Sequence, residues 1–288
     1  MAHNWIIDYL CNRHHCTKFN ESLSKFAAIT ASVIQGSALG PFLFSITASS
    51  FVAIVDGNII FKYADDFDML IPSSNTNSIP TEIKNLEQWA EGNNLHLNIQ
   101  KTQEMIIYNK YAKDLNIPPE IPGIKRVKKI KVLGVTIDDK LTFNSHIDCL
   151  VSEGHQRLYV LKNIKSHGLS SGKLYQVSRA LLINKLTYCA PAWYGFCSTE
   201  SKARLSKLVK KAVSWGIYSL TCPSLSTILD GLDITLLNAI KANPSHSLRY
   251  LLPEKKEVSY QLRKPAYQKT IISHLQDKNF ISRMLKRF

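Results

Sequence analysis

Apolar and polar positions change their period several times along this chain, and each change marks an element. Trp5, Ile6, Tyr9 and Leu10 fall on one face at helical spacing, which predicts a helix over residues 5–12. TKFNESLSKFAAITASV then breaks into short β-like pieces at Asn20 and its serines. QGSALGPFLFSITASSFVAIV opens on Gly36, Gly40 and Pro41 and turns almost wholly apolar, the pattern of a buried helix with an open N-terminal end. In VDGNIIFKYADDFDMLI, Asp56-Gly57 predicts a tight turn and Ile59–Tyr63 a strand. Asp65-Asp66 would form a second turn, with residues 67–71 returning as a strand. IPTEIKNLEQWAEGNN sets Ile83, Leu86 and Ala90 at helical spacing between Pro80 and Gly92, an amphipathic helix. LHLNIQKTQEMIIYN alternates as a strand does around Lys101, and VKKIKVLGVTID reads as a lysine-marked edge strand.

From residue 146 the period is helical almost throughout. HIDCLVSEGHQRLYVLKNIKSHGL, KLYQVSRALLINKLTYCAPAWYG and STESKARLSKLVKKAVSWG are separated by short breaks at Gly168 and Gly195. The final 35 residues carry nine Lys/Arg against three acidic residues. The expected fold class is therefore α+β: an antiparallel sheet with packed helices over 1–145, a helical region over 146–220, and a basic, helical C-terminal region over 221–288.

Composition narrows the function classes. With 288 residues and 45% hydrophobic content, the chain can build one large or two ordinary cores. Its net charge of +14 calls for an anionic partner, nucleic acid before an anionic membrane surface. A membrane role is disfavoured, because no stretch has a clean polar arc and no apolar run reaches the roughly 18–20 residues of a span. No signal-peptide pattern opens the sequence, so a soluble, intracellular protein is expected, nucleus and cytoplasm undistinguished. Six cysteines without a repeated spacing suit free thiols in a reducing compartment. CNRHHC, from Cys11 to Cys16, has no second ligand pair at finger spacing and is not expected to hold zinc.

Asp65 and Asp66 sit in KYADDFDML, an otherwise apolar and aromatic run. Burying unpaired carboxylates is costly, so the pair is either a hard-oxygen site for a divalent cation or an ordinary exposed hairpin turn. Gly36 would let backbone approach a ligand closely, or would simply start a helix.

YADD, residues 63–66, between two apolar strands resembles the signature of reverse transcriptases. QGSALGP, residues 35–41, resembles their glycine-rich template- and nucleotide-contacting motif. LHLNIQKTQEMII resembles the later lysine-bearing motif, and KVLGVTIDDKLTFNSHI the segment that supports the primer end. The four occur in the family's order and at its spacing. LTYCAPAWYG, residues 186–195, is similar to the thumb of jockey-like non-LTR retrotransposon enzymes. The resemblance spans nearly the whole chain and implies RNA-directed DNA polymerisation by two-metal nucleotidyl transfer. It implies part of a polymerase palm over 1–145 and a helical thumb over 146–220. Asp65 and Asp66 would be catalytic metal ligands for Mg2+, or Mn2+. Gln35, Gly36, Ser37 and Tyr63 would contact nucleotide or template. Lys101 would give a proton to departing pyrophosphate, although a solvated strand lysine reads the same. Leu133 and Gly134 would place the primer end by backbone contact, or mark a bulge. Partners would be an RNA template, a DNA primer and deoxynucleoside triphosphates. The basic helix over 202–211 and the tail suit phosphate contact, while Trp193, Tyr194 and Trp215 read as thumb core.

The pattern also departs from the family. A further metal-binding aspartate would lie before Met1, and Asp8 does not match it. The fingers, the sugar-selecting residue and an endonuclease would also lie upstream. Ser32 and Ile34 stand where glycine and proline are common, and Phe67 is bulkier than usual. The expectation is the C-terminal part of a polymerase, inactive alone and left with an unpaired sheet edge by the absent palm strand. The alternative is a non-catalytic nucleic-acid-binding remnant.

Overall fold

The computed structural model describes residues 2–29, 36–108, 117–219, 221–253 and 278–287. The chain divides into two units, one of Met1–Glu104 with Ile117–Lys125 and one of Met105–Asn116 with Arg126–Phe288. Helices combine with small antiparallel two-stranded sheets, as the α+β expectation required. Among the described residues no helix is long and apolar enough to cross a membrane. All six cysteines are free thiols.

The first unit starts with α1 (Ala2–Leu10) and four short strands. β1 (Arg13–His15) pairs with β4 (Ala27–Ile29), and β2 (Lys18–Phe19) pairs with β3 (Ser22–Leu23). Asn20 supplies the left-handed turn at their tip, with φ of 53°. α2 (Gly40–Ser49) begins with Pro41 in its first turn, where a missing N–H costs nothing. This helix is not buried as its sequence suggests: only Gly40 and Ala48 are buried, while Phe42 and Ile46 are more than half exposed. Apolar content alone does not supply the partners that would cover such a helix.

A loop leads from α2 to the hairpin of β5 (Ile59–Tyr63) and β6 (Asp66–Leu70), followed by α3 (Ile79–Gly92). Residues 95–102 were expected as a strand and instead form turns around the left-handed Asn94 and around Asn98, which accepts from Lys101 N–H. Asparagine's short side chain competes for backbone partners and breaks the ladder. Lys101 thus lies exposed on a turn rather than in a strand.

In the second unit, VKKIKVLGVTID is a hairpin rather than one strand. β7 (Lys129–Val132) pairs with β8 (Val135–Asp138), with Val132 opposite Val135. Leu133 and Gly134 form the turn with φ of 45° and 87°, the type I′ geometry that matches strand twist, so Gly134 is not at a bulge. Next come α4 (Asn144–Ser166), α5 (Ser171–Ser178), a π-turn at Arg179–Ile183, α6 (Asn184–Thr187) and α7 (Ala190–Trp193). α8 (Thr199–Ser214) and α9 (Leu225–Ala242) each open on a serine, Ser198 and Ser224, whose hydroxyl accepts the N–H three residues on. α10 (Phe280–Arg287) ends the described chain. Ile147, Leu161, Leu182, Leu205 and Trp193 are almost completely enclosed in this unit's core. Trp193 accordingly has the core role read from sequence, while Tyr194 and Trp215 pack partly buried against it.

Candidate functional site

The hairpin carrying Asp65 and Asp66 is fixed from below by aromatic packing. Phe67, facing away from the turn's aspartates, stacks on Phe51 at 5.7 Å, and both rings meet Trp89 of α3 at 5.4–5.5 Å. Lys62, opposite Phe67 in the register, sends its ammonium to the carbonyls of Ala48 (2.7 Å) and Phe51 at the end of α2. A cation at a helix C-terminus is favourable there, and burial pulls the Lys62 pKa below its ordinary value. One lysine therefore ties the hairpin to the helix that follows Gly36 and Ser37.

The turn itself is Ala64-Asp65, one residue earlier than expected, with Ala64 at φ of 51° and Asp66 already the first residue of β6, opposite Tyr63. Tyr63, Asp65 and Asp66 are all exposed, so the aspartates do not sit in the apolar setting their neighbours suggest. Ile60, Phe67 and Met69 line the opposite face of the hairpin, while Ile59, Phe61, Tyr63 and Leu70 share the face of Asp66 and are themselves exposed. Sequence reading passed over Asp68. It shares a strand face with Asp66, and burial, followed by the charge of Asp66, pushes its carboxyl above the usual range. The signal was present in the two-residue spacing of DFD.

Two adjacent exposed carboxylates fit as hard ligands for part of a magnesium shell. Among the described residues, however, no three His, Cys, Asp or Glu side chains come together in a way that could hold a metal.

Ser37 accepts from Gly40 N–H at 3.0 Å and from the Tyr9 hydroxyl at 2.8 Å, so its hydroxyl helps to start α2. Gly36, at φ of 80°, is exposed with open space around it. Gln35, with Ser32 and Ile34, lies outside the described residues, as does most of the basic tail. Leu133 and Gly134 form the exposed turn of the second unit's hairpin.

The loop between α2 and β5 rests on a residue that sequence reading did not single out. Glu82 of α3 is completely enclosed. It accepts from Ile54 N–H, Val55 N–H and the Asn58 amide at 2.8–3.2 Å. Burial pushes its carboxyl up, but the hydrogen bonds from Val55, Asn58, Ile54 and Asn85 outweigh that and hold it below its ordinary value. A glutamate in the first turn of a helix, two residues after Pro80, looks solvent-facing in sequence, and nothing in the pattern marks it.

Residues 1–137 match the family described as reverse transcriptase (RNA-dependent DNA polymerase). The chain is 33% identical over 135 residues to the RNA-directed DNA polymerase from the mobile element jockey of Drosophila melanogaster, covering 43% of this chain and 15% of that protein. It is 25% identical over 224 residues to a probable RNA-directed DNA polymerase from transposon BS of the same fly, covering 71% and 24%. A Pol polyprotein from the type-1 retrotransposable element R1 2 of Nasonia vitripennis is 25% identical over 209 residues, covering 67% and 50%. The chain thus spans half or less of the length of these relatives. No solved structure matches it. The resemblance to reverse transcriptases of non-LTR elements, read from four motifs, is borne out.

Proposed function

We propose that this chain, whose residues 1–137 match the reverse transcriptase family, is the nucleic-acid-holding part of an RNA-directed DNA polymerase. In this reading 1–145 is part of the palm, 146–220 the thumb and 221–288 a basic C-terminal region. The observation that carries it is the hairpin that turns at Ala64-Asp65 and presents Asp65 and Asp66 to solvent from a rigidly packed base. Asp65 and Asp66 hold Mg2+, which when bound would supply charge neutralisation for nucleotidyl transfer. Tyr63 and the Gly36–Ser37 segment face the nucleotide and template, and the Leu133-Gly134 turn meets the primer end. Lys101, exposed on its turn, is free to swing toward departing pyrophosphate. The net charge of +14 favours phosphate contact along template and primer, with an affinity that falls steeply as salt rises.

With Asp65 and Asp66 at the turn and no group of three ligands among the described residues, the 288-residue chain by itself does not complete the metal centre and does not extend a primer. The second reading, a binding remnant without catalysis, is favoured by the same lack of a third ligand among the described residues. Magnesium separates them. On the polymerase reading, Mg2+ at about a hundred times its Kd adds roughly 2.7 kcal/mol to the stability of the first unit. Asp65→Asn removes most of that gain. Equal thermal shifts in both proteins would leave the remnant reading standing. Primer extension by the chain that is lost in Asp65→Asn would instead show a complete centre.

A further inference from the structure

Tyr188 joins the exposed Leu133-Gly134 turn to the helical core of the second unit. Its hydroxyl donates to the Leu133 carbonyl at 3.0 Å, and its ring edge lies 3.4 Å from where a Cβ on Gly134 would stand. That turn needs holding. A leucine with a positive φ is strained, and such residues persist only when their surroundings fix them.

The support behind Tyr188 is rigid. Its backbone turns sharply into α7, with φ of −57° and ψ of 125° before a left-handed Cys189. Its carbonyl accepts from the indole N–H of the fully buried Trp193 at 2.9 Å. The Trp193 ring meets His146 edge-on at 5.0 Å, and Thr136 N–H of β8 points at His146 Nδ1. Turn, tyrosine, tryptophan and histidine therefore close a loop back onto the same hairpin. Despite this anchoring, Tyr188 remains 50% exposed and Leu133 41% exposed, so the braced surface is open to a ligand.

We propose that Tyr188 is the positioning residue of the Leu133-Gly134 turn. Its hydroxyl fixes the carbonyl and amide directions that the turn offers to the 3′-terminal nucleotides of a strand ending on the protein. The inference rests on the reading that this turn meets the primer end. A strand end, rather than duplex in general, is the partner that fits. The turn itself offers backbone groups and one aromatic ring, which suit a strand end, while the exposed Lys129 and Lys131 of β7 add phosphate contact that any duplex would share.

The test compares two labelled nucleic acids of equal nucleotide count, and so of equal charge, a primer–template duplex with a recessed 3′ end and a blunt duplex. Each is titrated by fluorescence anisotropy into the chain, without magnesium. The chain is expected to prefer the recessed end, and Tyr188→Phe to lose that preference by roughly threefold to tenfold, the worth of one hydrogen bond. Affinity for the blunt duplex should not change, and the melting midpoint should fall by no more than the few degrees that one hydrogen bond is worth. A purely structural role would lower both affinities together and leave their ratio intact. Gly134→Ala strains the same turn from its other side with Tyr188 in place, and should reduce the ratio likewise, which covers the case in which Tyr188→Phe folds poorly. If the chain prefers the recessed end and both variants keep the preference, the role assigned to Tyr188 is overturned while the primer reading stands. If the unmodified chain shows no preference, the primer reading of the turn fails and takes the inference with it.

Discussion

Glu82→Ala is expected to melt the first unit well below the second, and to loosen the aspartate hairpin before the helical region responds. The glutamate is the acceptor for two backbone N–H groups and one side-chain amide, all in the loop that runs into β5. Each buried donor left without a partner costs about 1–3 kcal/mol. The Asn58 amide keeps the Ser78 hydroxyl as an acceptor, so two part-buried backbone donors are stranded, a loss of roughly 2 kcal/mol, still a large share of what a unit of this size has to spare. Because the folded carboxyl is held below its ordinary value, the stability it confers is complete above the unfolded pKa and is lost as pH falls through the folded pKa. The first unit should therefore weaken only in acid below the ordinary glutamate pKa, and Glu82→Gln should flatten that dependence while lowering stability at neutral pH. Hydrogen exchange of residues 54–70 as a function of pH reads both effects. Unchanged exchange in Glu82→Ala would mean that the loop is held by Asn85, which donates to Val52 O, and by Trp89, which donates to the Ser50 hydroxyl.

That dependence could not be foreseen from the sequence, and the reason is physical. Periodicity reports which residues share a face, so Ile59–Tyr63, α3 and the long helices after residue 146 were legible. It reports neither how many partners a face will find nor which polar side chain will be enclosed. Thus α2 was read as buried although Phe42 and Ile46 remain exposed, and Glu82 was not noticed at all. Turns were half legible: glycine marked Asp56-Gly57, while the turn at Leu133-Gly134 was read as part of one strand. Asn94 and Asn98, however, broke a stretch that alternates as a strand does. Asp65 and Asp66 were found by their motif, but the apolar run around them left both a metal site and an exposed turn open, and both aspartates prove to be exposed. Tyr188 lies within a motif that resembled a thumb, but its bond to Leu133 crosses 55 positions of sequence, and no local pattern encodes such a contact.

A similar long-range contact governs the end of the second unit, where Asp233→Ala is expected to detach α10. The Asp233 carboxylate is buried on α9 and receives Arg283 Nη1 at 2.6 Å, while Arg283 Nη2 reaches the carbonyl of Pro191 at 3.2 Å. Around this pair, Phe280 and Met284 are buried with Leu237 and Ile240 in a small separate core. A second pair, Arg287 with Asp230 at 2.9 Å, is half exposed and contributes little. Removing one partner of a buried pair strands the other charge, at a cost of about 3–5 kcal/mol. The apolar contact of the four buried side chains is of similar or larger size, so the loss offsets much of what holds α10, which should leave its site far more often rather than bury a lone guanidinium. Gly195 adds a steric condition, since a Cβ there would lie 2.2 Å from the Lys278 carbonyl and 2.6 Å from Arg283 Nε. Gly195→Ala should therefore detach the same helix without removing any charge. Limited proteolysis after residue 278 reads both variants, which are expected to be cut faster than the unmodified chain. Rapid cutting of Gly195→Ala with Asp233→Ala still protected would assign the docking to the apolar core and the close fit at Gly195 rather than to the ion pair.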